Sequence, residues 1–288
     1  MSSPLVWLIT GTSSGLGRDF AEAALKRGDK VIATARGRSI AKVDDLKAQG
    51  ADALELDVTA SLSDLQAVAA KAIAIHGRVD VVVNNAGYVD FGALEERTPE
   101  ESVAQFNTNV FGALNVTRAF LPHMRERKSG SIVFLGSMAG WFGAPGLGMY
   151  TASKHAIRAI AESLAGEVAP FGIKVLNIEP GYFRTALLQP GMRSEYEARI
   201  PDYQSTVGPT NDTLQAANGK QAGDPVKGAQ ILVDLIHGTG AVKGKELPVT
   251  IGFGSDYHEA VKAASEGTLK RLADWEQLTK STDFPKGT

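Results

Sequence analysis

The sequence predicts an α/β protein, a parallel β-sheet with helices on both faces, and two observations carry that expectation. Short β-rich apolar runs alternate with longer stretches of helical periodicity, the pattern that sets a helix between successive parallel strands. The first run also leads directly into a glycine-rich turn, Thr10-Gly11-Thr12-Ser13-Ser14-Gly15-Leu16-Gly17, of the kind that carries a strand into a helix. At 288 residues the chain is long for one average domain, yet open α/β sheets reach this size as a single unit. One domain over 1–288 is expected, with an insertion at about 182–223 and a helical extension at about 255–288.

Six strands are expected at 5–10, 30–35, 53–56, 79–84, 131–136 and 174–178, with a seventh at 249–252. Between them the apolar spacing suggests helices near 15–27, 40–49, 62–76, 99–126, 150–169 and 225–236. Thr98-Pro99-Glu100-Glu101 reads as a helix start, a capping threonine before a proline at the first helical position and a glutamate that reaches back. Ser61-Leu62-Ser63-Asp64 is a weaker version. From Gly181 to Gly223 the pattern lapses, with Pro190, Gly191, Pro201, Gly208, Pro209 and Gly219 interrupting apolar residues; so long a connection is a functional loop or contains short helices. A last helix at 256–280 offers Val261, Ala264, Leu269, Leu272, Trp275 and Leu278 as an apolar face.

Composition narrows the function classes. A net charge of −2 and a charged fraction of 22% leave no field to attract nucleic acid or an anionic membrane, so the expected partner is a small molecule. With no cysteine in the chain, disulfides, thiolate metal sites and cysteine nucleophiles are excluded, which agrees with a cytoplasmic setting. The apolar run 5–9 is too short for a signal-peptide core, and no stretch approaches the roughly 20 apolar residues of a membrane span. His76, His123, His155, His237 and His258 are scattered without metal-ligand spacing, and no metal is expected.

Two constellations carry chemistry. The turn has the spacing GxxxGxG at Gly11, Gly15 and Gly17; glycines there let backbone approach a pyrophosphate, whose charge a helix N-terminus favours. Tyr150 and Lys154 stand at i and i+4, so on a helix both point to one face. A YxxxK match alone arises by chance roughly 0.3 times in such a chain, and the weight lies in order and setting. A phenol at its ordinary pKa of about 10 is a poor acid and base near neutrality. An ammonium about 4 Å away could stabilise the phenolate by about 4 kcal/mol at an effective dielectric near 20.

In these features the chain resembles the short-chain dehydrogenase/reductase family, whose loop is TGxxxGxG. The resemblance runs on through Asp57-Val58, Asn84-Asn85-Ala86-Gly87, Asn109, Ser137, Tyr150 with Lys154, and Pro180-Gly181 to Thr185, spanning about 5–255. It implies a Rossmann-like doubly wound sheet of seven strands in the order 3-2-1-4-5-6-7, and an oxidoreductase that passes hydride between a nicotinamide cofactor and a carbonyl or alcohol carbon. It also implies roles for residues. The loop Gly11, Thr12, Ser13, Ser14, Gly15, Leu16 and Gly17 would hold the pyrophosphate; Asp57 would accept from the adenine amino group, with Val58 beside the ring; Asn85, Ala86 and Gly87 would line the adenosine side. Ile178 to Gly181, with Pro180, and Thr185 would surround the nicotinamide. Ser137 would position the carbonyl oxygen, Tyr150 would be general acid and base, Lys154 would also hold ribose hydroxyls, and Asn109 would support a proton relay. Taken alone, Asp57 and Asn109 fit structural roles as readily.

The phosphate preference follows from charge. An acid ending the second strand repels a 2′-phosphate, whereas arginine accepts it. Here that strand ends Thr34-Ala35-Arg36, followed by Gly37-Arg38, so NADP(H) is expected over NAD(H), and with it use as a carbonyl reductase. Met138, Trp141, Phe142, Leu147, Met149, Tyr182, Phe183, Leu187, Leu188 and Met192 suggest an apolar or aromatic substrate pocket, with Tyr196 and Tyr203 in a possible lid. A homodimer is expected, with monomer and tetramer open. Two other readings share the fold: a lyase, isomerase or cyclase, and a regulator that senses NADP(H) without turnover. Intact Ser137, Tyr150 and Lys154 argue against the first. The regulator would be expected to lack the tyrosine or the lysine.

Overall fold

The computed structural model describes residues 3–189 and 196–284, so Pro190, Gly191 and Met192 of the expected substrate loop lie outside the described residues. Strands β1 (Val6–Ile9), β2 (Lys30–Ala35), β3 (Asp52–Glu55), β4 (Val81–Asn84), β5 (Gly130–Leu135), β6 (Ile173–Pro180) and β7 (Thr250–Phe253) form one sheet in the order β3-β2-β1-β4-β5-β6-β7. Every neighbouring pair is parallel. This is the expected doubly wound order.

Because side chains alternate across a strand, the continuous apolar run of β1 feeds two cores. Val6 and Leu8 join Ile32, Val82, Ile132 and Phe134 on one face, while Trp7 and Ile9 join Val31, Ala33, Val81, Val83 and Val133 on the other. The helices are α1 (Gly15–Arg27), α2 (Asp44–Ala48), α3 (Leu62–His76), α4 (Pro99–Phe106), α5 (Ala113–Arg127), α6 (Gly148–Val168), α7 (Gln204–Ala217), α8 (Pro225–His237), α9 (Ser255–Asp274) and α10 (Glu276–Lys280). Against the first face α3 buries Leu65, Ala69 and Ala72, α5 buries Val116, Phe120 and Met124, and α6 buries Ile157, Ala161 and Leu164. Each set has the three- and four-residue spacing of a helical stripe. Against the second, α1 buries Phe20, Ala21 and Ala24, and α8 buries Ala229, Leu232 and Val233. Full burial of each large apolar side chain contributes roughly 1.5–3 kcal/mol.

Both expected caps form. Thr98 Oγ1 accepts from the Glu101 amide at 3.2 Å while the Glu101 carboxylate accepts from the Thr98 amide at 2.9 Å, and Ser61 accepts from the Asp64 amide. Three elements differ from expectation. The helix expected at 40–49 begins instead as a 3₁₀ segment, Gly37–Val43, before α2. The single helix expected over 99–126 is α4 and α5 joined by a π-helical segment, Asn107–Gly112; such wide turns gather at functional sites, and this one contains Asn109. Inside 182–223, α7 runs through Gly208 and Pro209, and its buried Val207, Asn211 and Leu214 keep helical spacing despite them.

The extension also departs from a buried amphipathic helix. No residue of α9 or α10 is buried, and Leu269, Leu272, Trp275 and Leu278 are each at least 60% exposed. The N-terminal half of α9 engages the body: Ala260, Val261, Ala264 and Ser265 are half-buried, Asp256 accepts from the Tyr182 amide and Tyr257 bonds Glu179. Among the described residues no helix is long and apolar enough to cross a membrane.

Candidate active site

Strand order reverses between β1 and β4, and at such a reversal the carboxyl ends of neighbouring strands diverge to leave a crevice. A cleft of about 820 Å³ occupies this edge. At its β1 side the loop into α1 approaches β4 so closely that side chains are excluded. A Cβ on Gly11, which has φ +71°, would lie 3.1 Å from Ala86 Cα; one on Gly17 would lie 2.2 Å from Asn85 Nδ2 and 2.7 Å from the Gly11 carbonyl. Asn85 holds this approach, donating to the carbonyls of Thr10 (2.8 Å) and Gly11 (3.2 Å), and Thr10 Oγ1 accepts from the Asn85 and Ala86 amides.

Gly11, Ser13, Ser14, Gly15 and Leu16 line the cleft. Two residues of the loop do not line the cleft: Thr12 is wholly buried with its hydroxyl donating to the Thr34 carbonyl, and Gly17 is buried inside α1. Both shape the loop from behind. The backbone amides at the start of α1, where the Ser14 side chain makes no cap, fit a pyrophosphate.

Along the β2 and β3 ends the cleft is lined by Arg36, Asp57 and Val58 as expected, and also by Arg38, Ser39 and Thr59. The 3₁₀ segment after Arg36 turns Arg38 and Ser39 toward the same rim, which strand periodicity could not reveal. Burial pulls the Asp57 carboxyl upward, but hydrogen bonds from the Thr59 amide (2.9 Å) and hydroxyl (2.7 Å), with the charges of Arg36 and Arg38, hold it below the usual range. Glu55 crowds Gly37 from β3, a carboxylate that the order of residues along β2 did not show. It does not line the cleft, whereas both arginines do.

At the other end Asn85, Ala86, Gly87, Ser137, Tyr150, Lys154, Pro180, Gly181 and Thr185 line the same cleft. Ser137 ends the turn after β5 and caps a 3₁₀ segment by accepting from the Ala139 amide; its side chain is near enough to the Tyr150 phenol to favour the phenolate. Lys154, one turn along α6, donates 2.6 Å to the Leu135 carbonyl. Asn109 stands behind this wall. Its side chain accepts from the Tyr88 amide (3.1 Å) and donates to the Tyr88 carbonyl and to Ser153, whose hydroxyl in turn donates to the Tyr150 carbonyl.

The expected depression of the Tyr150 pKa is not found. Loss of solvent pushes the phenol above its ordinary value, a pull the Ser137 side chain opposes and Tyr182 reinforces. Burial is the dominant cause, while the Lys154 ammonium, 5.8 Å from the centre of the ring, gives one of its three donors to Leu135. Burial also brings Lys154 down to about 8, with Glu179 pulling the other way. The phenol is therefore held as an acid, the form that donates a proton.

On the substrate side Phe183 and Leu187 line the cleft, joined by Tyr88 and Val89. Leu147, Tyr182, Leu188, Tyr196 and Tyr203 instead gather around Phe91, Val207 and Leu214 in a third apolar cluster, so α7 and the flanking loops form a wall beside the site. Trp141 turns away; its ring lies 3.5 Å beneath the Arg158 guanidinium and its Nε1 donates to Glu179. Among the described residues no group of histidines and carboxylates is arranged to hold a metal ion.

A glycine cradle on one side of the strand-order reversal and a cleft wall of Ser137, Tyr150 and Lys154 on the other define a dinucleotide-type fold. The chain belongs to the short chain dehydrogenase family, whose model matches residues 5–195. It is 37% identical over 276 residues to oxidoreductase BOA17 of Botryotinia fuckeliana, covering 95% of this chain and 97% of that one. It is 42% identical over 202 residues to 3-ketodihydrosphingosine reductase of Bacteroides thetaiotaomicron, covering 69% of this chain and 72% of the relative. Among solved structures, a short-chain dehydrogenase from Streptomyces avermitilis is similar with a TM-score of 0.86 and 43% identity, over 98% of this chain and all of that one. A Burkholderia phymatum family member in complex with NAD (TM-score 0.75, 25% identity, 99% and 98% covered) and an actinorhodin polyketide ketoreductase with NADPH (0.70, 28%, 88% and 97%) share the fold. The family is one of oxidoreductases that bind nicotinamide cofactors.

Proposed function

We propose that this chain is an NADP(H)-dependent oxidoreductase acting on a carbonyl or secondary alcohol, and that it serves chiefly as a carbonyl reductase. The observation that supports the reading most is that Ser137 and Tyr150 line the same wall of the cleft, close enough for the serine side chain to act on the phenol, because this puts a protonated phenol beside a second donor where one substrate oxygen can meet both. When bound, the nicotinamide supplies or accepts the hydride.

The residues of the chain supply the rest. Ser137 and Tyr150 together bind the substrate oxygen and fix its distance from the cofactor side of the cleft. In reduction the Tyr150 phenol gives its proton to that oxygen as negative charge develops on it, and in oxidation the phenolate takes the proton back. Lys154, charged below about pH 8, stabilises the phenolate that remains and offers donors to ribose hydroxyls. Asn109 steadies the α6 turn that carries Tyr150 through Ser153. Arg36 and Arg38 at the far rim would bind a 2′-phosphate, and the backbone of the glycine loop the pyrophosphate. Phe183 and Leu187 favour an apolar substituent on the substrate, in keeping with the ketone substrates named for two of the similar proteins.

Titrating the purified protein with NADPH and NADH, followed by nucleotide fluorescence, tests the cofactor half of this reading. Tighter binding of NADPH is expected. Tighter NADH binding would overturn the phosphate argument, and binding of neither would overturn the function.

A further inference from the structure

Four carboxylates are buried among the described residues: Asp29, Asp80, Glu96 and Glu179. Asp29 faces His237 at 2.7 Å, Asp80 meets Arg78 and Arg127 at 2.8 Å, and Glu96 accepts from the Ala93 and Ile200 amides beside Arg97. Glu179, wholly buried near the end of β6, is held by neutral donors. Trp141 Nε1 donates 2.6 Å and the Tyr257 hydroxyl 2.9 Å to Oε2, while Asn177 Nδ2 donates 2.9 Å to Oε1.

Lys154 is the one lysine or arginine that is buried among the described residues. The Glu179 side chain crosses Gly136, where a Cβ would lie 2.8 Å from its Cγ, and Gly136 directly follows Leu135, whose carbonyl takes the Lys154 ammonium; Oε1 then lies over Gly140, 3.6 Å from where a Cβ would stand. Since the ammonium donates to Leu135, the carboxylate acts on it through space, in a region where little water screens the field.

We propose that Glu179 is a positioning residue for the Tyr150–Lys154 pair: its carboxylate, fixed by Trp141, Asn177 and the first turn of α9, keeps Lys154 charged inside the protein. This rests on the reading that Lys154 serves Tyr150. Burial alone takes the lysine toward neutrality, and Glu179 is the group that opposes it. Other charged and titratable groups face the cluster: Tyr150 and Arg158 from α6, Tyr182 after β6, and Tyr257 and Asp256 from α9. Arg158 is engaged by Glu162 and stacked on Trp141, and Asp256 accepts from the Tyr182 and Tyr257 amides. The C-terminal extension thus delivers one of the donors that hold the charge.

A merely structural bolt would be served by Glu179→Gln, whose amide oxygen still accepts from Trp141 and Tyr257 and whose amide nitrogen can donate to a turned Asn177 side chain, its Oδ1 having no partner in the wild type. The test is therefore an NMR titration of protein labelled with ¹³Cε-lysine, without nucleotide or substrate, the Lys154 resonance being assigned by its loss in Lys154→Arg. In Glu179→Gln the Lys154 midpoint should fall by about one pH unit, the size expected of one charge roughly 10 Å away at an effective dielectric near 20. In Tyr257→Phe, which keeps the charge, it should not move. The alkaline limb of kcat should fall with the midpoint. A folded Glu179→Gln protein with an unmoved Lys154 midpoint would overturn the proposal. Should that variant not fold, the ¹³Cδ-glutamate spectrum of the wild type decides: an ionised Glu179 at neutral pH supports the proposal and a neutral acid overturns it. Wild-type turnover on ketones tests the oxidoreductase reading separately.

Discussion

Lys154 carries its ammonium 5.8 Å from the centre of the Tyr150 ring and donates 2.6 Å to the carbonyl of Leu135. One donor of the lysine is therefore tied to the end of β5 while its charge lies over the Tyr150 ring. It serves Tyr150 through its field, and anything that removes its charge should be felt at the tyrosine.

The first prediction concerns pH. With its folded pKa lowered to about 8 by burial, Lys154 loses its proton as pH rises through that value, so turnover should be sustained below about pH 8 and fall above it. Lys154→Ala should lose turnover and weaken NADPH binding together. A pH-rate profile on wild type and nucleotide titration of the variant check both, and a loss of turnover with unchanged NADPH affinity would put the ribose contact in doubt.

Arg36 and Arg38 share the rim of the cleft. Arg36→Asp should weaken NADPH binding by about 10- to 100-fold, the scale of one hydrogen bond to a charged group, and improve NADH relative to it. The ratio of the two dissociation constants is the readout; an unchanged ratio would assign the phosphate to another group.

Gly17 has no space for a methyl, since a Cβ would meet Asn85 Nδ2 at 2.2 Å and the Gly11 carbonyl at 2.7 Å. Gly17→Ala should cost about 1–3 kcal/mol of stability, the usual scale of overpacking, and weaken nucleotide binding by displacing Asn85. Thermal unfolding with and without NADPH measures both, and a variant of wild-type stability would refute the close approach.

The Asp19 carboxyl on α1 is raised from its ordinary 3.8 to about 6, first by burial and then by Glu22, against the pull of Arg18. A folded carboxyl with a raised pKa binds its proton more tightly than the unfolded chain does, so its ionised form destabilises the fold above about pH 6. That penalty shrinks as pH falls from about 6 and is gone below 3.8. Asp19→Asn should therefore raise the thermal midpoint at neutral pH and leave it unchanged near the low end of that window; equal effects at both would contradict the burial argument.

Most strands were readable because they are apolar runs with a turn signal after them, and β1, buried along its whole length, was found to within a residue at either end. Caps were readable because Thr98 and Glu101 act within one turn. What escaped depends on contacts between distant segments or on fine backbone geometry. The π-helical turn around Asn109 uses residue types that suit an α-helix equally. Gly208 and Pro209 disguised α7, although Val207, Asn211 and Leu214 held the helical period that could have found it. Thr12 and Gly17 belong to the loop motif yet face inward, because the loop must pack against β2 and Asn85 before it can present amides outward. The exposed face of α9 could not be told from a buried one by period alone. Glu179 lay beside the recognised Pro180-Gly181, and only the meeting of β6, α6 and α9 shows what its charge faces.

The central claim is that Tyr150 is the proton donor of a carbonyl reductase. Its most direct test is the disappearance of NADPH absorbance with a panel of aromatic, aliphatic and steroid-like ketones, run on the wild type and on Tyr150→Phe matched for NADPH binding. The account predicts turnover by the wild type on at least one ketone and a loss of about 10²-fold or more in the variant, the scale of a positioned general acid, with NADPH affinity nearly intact. Turnover retained by Tyr150→Phe would contradict it.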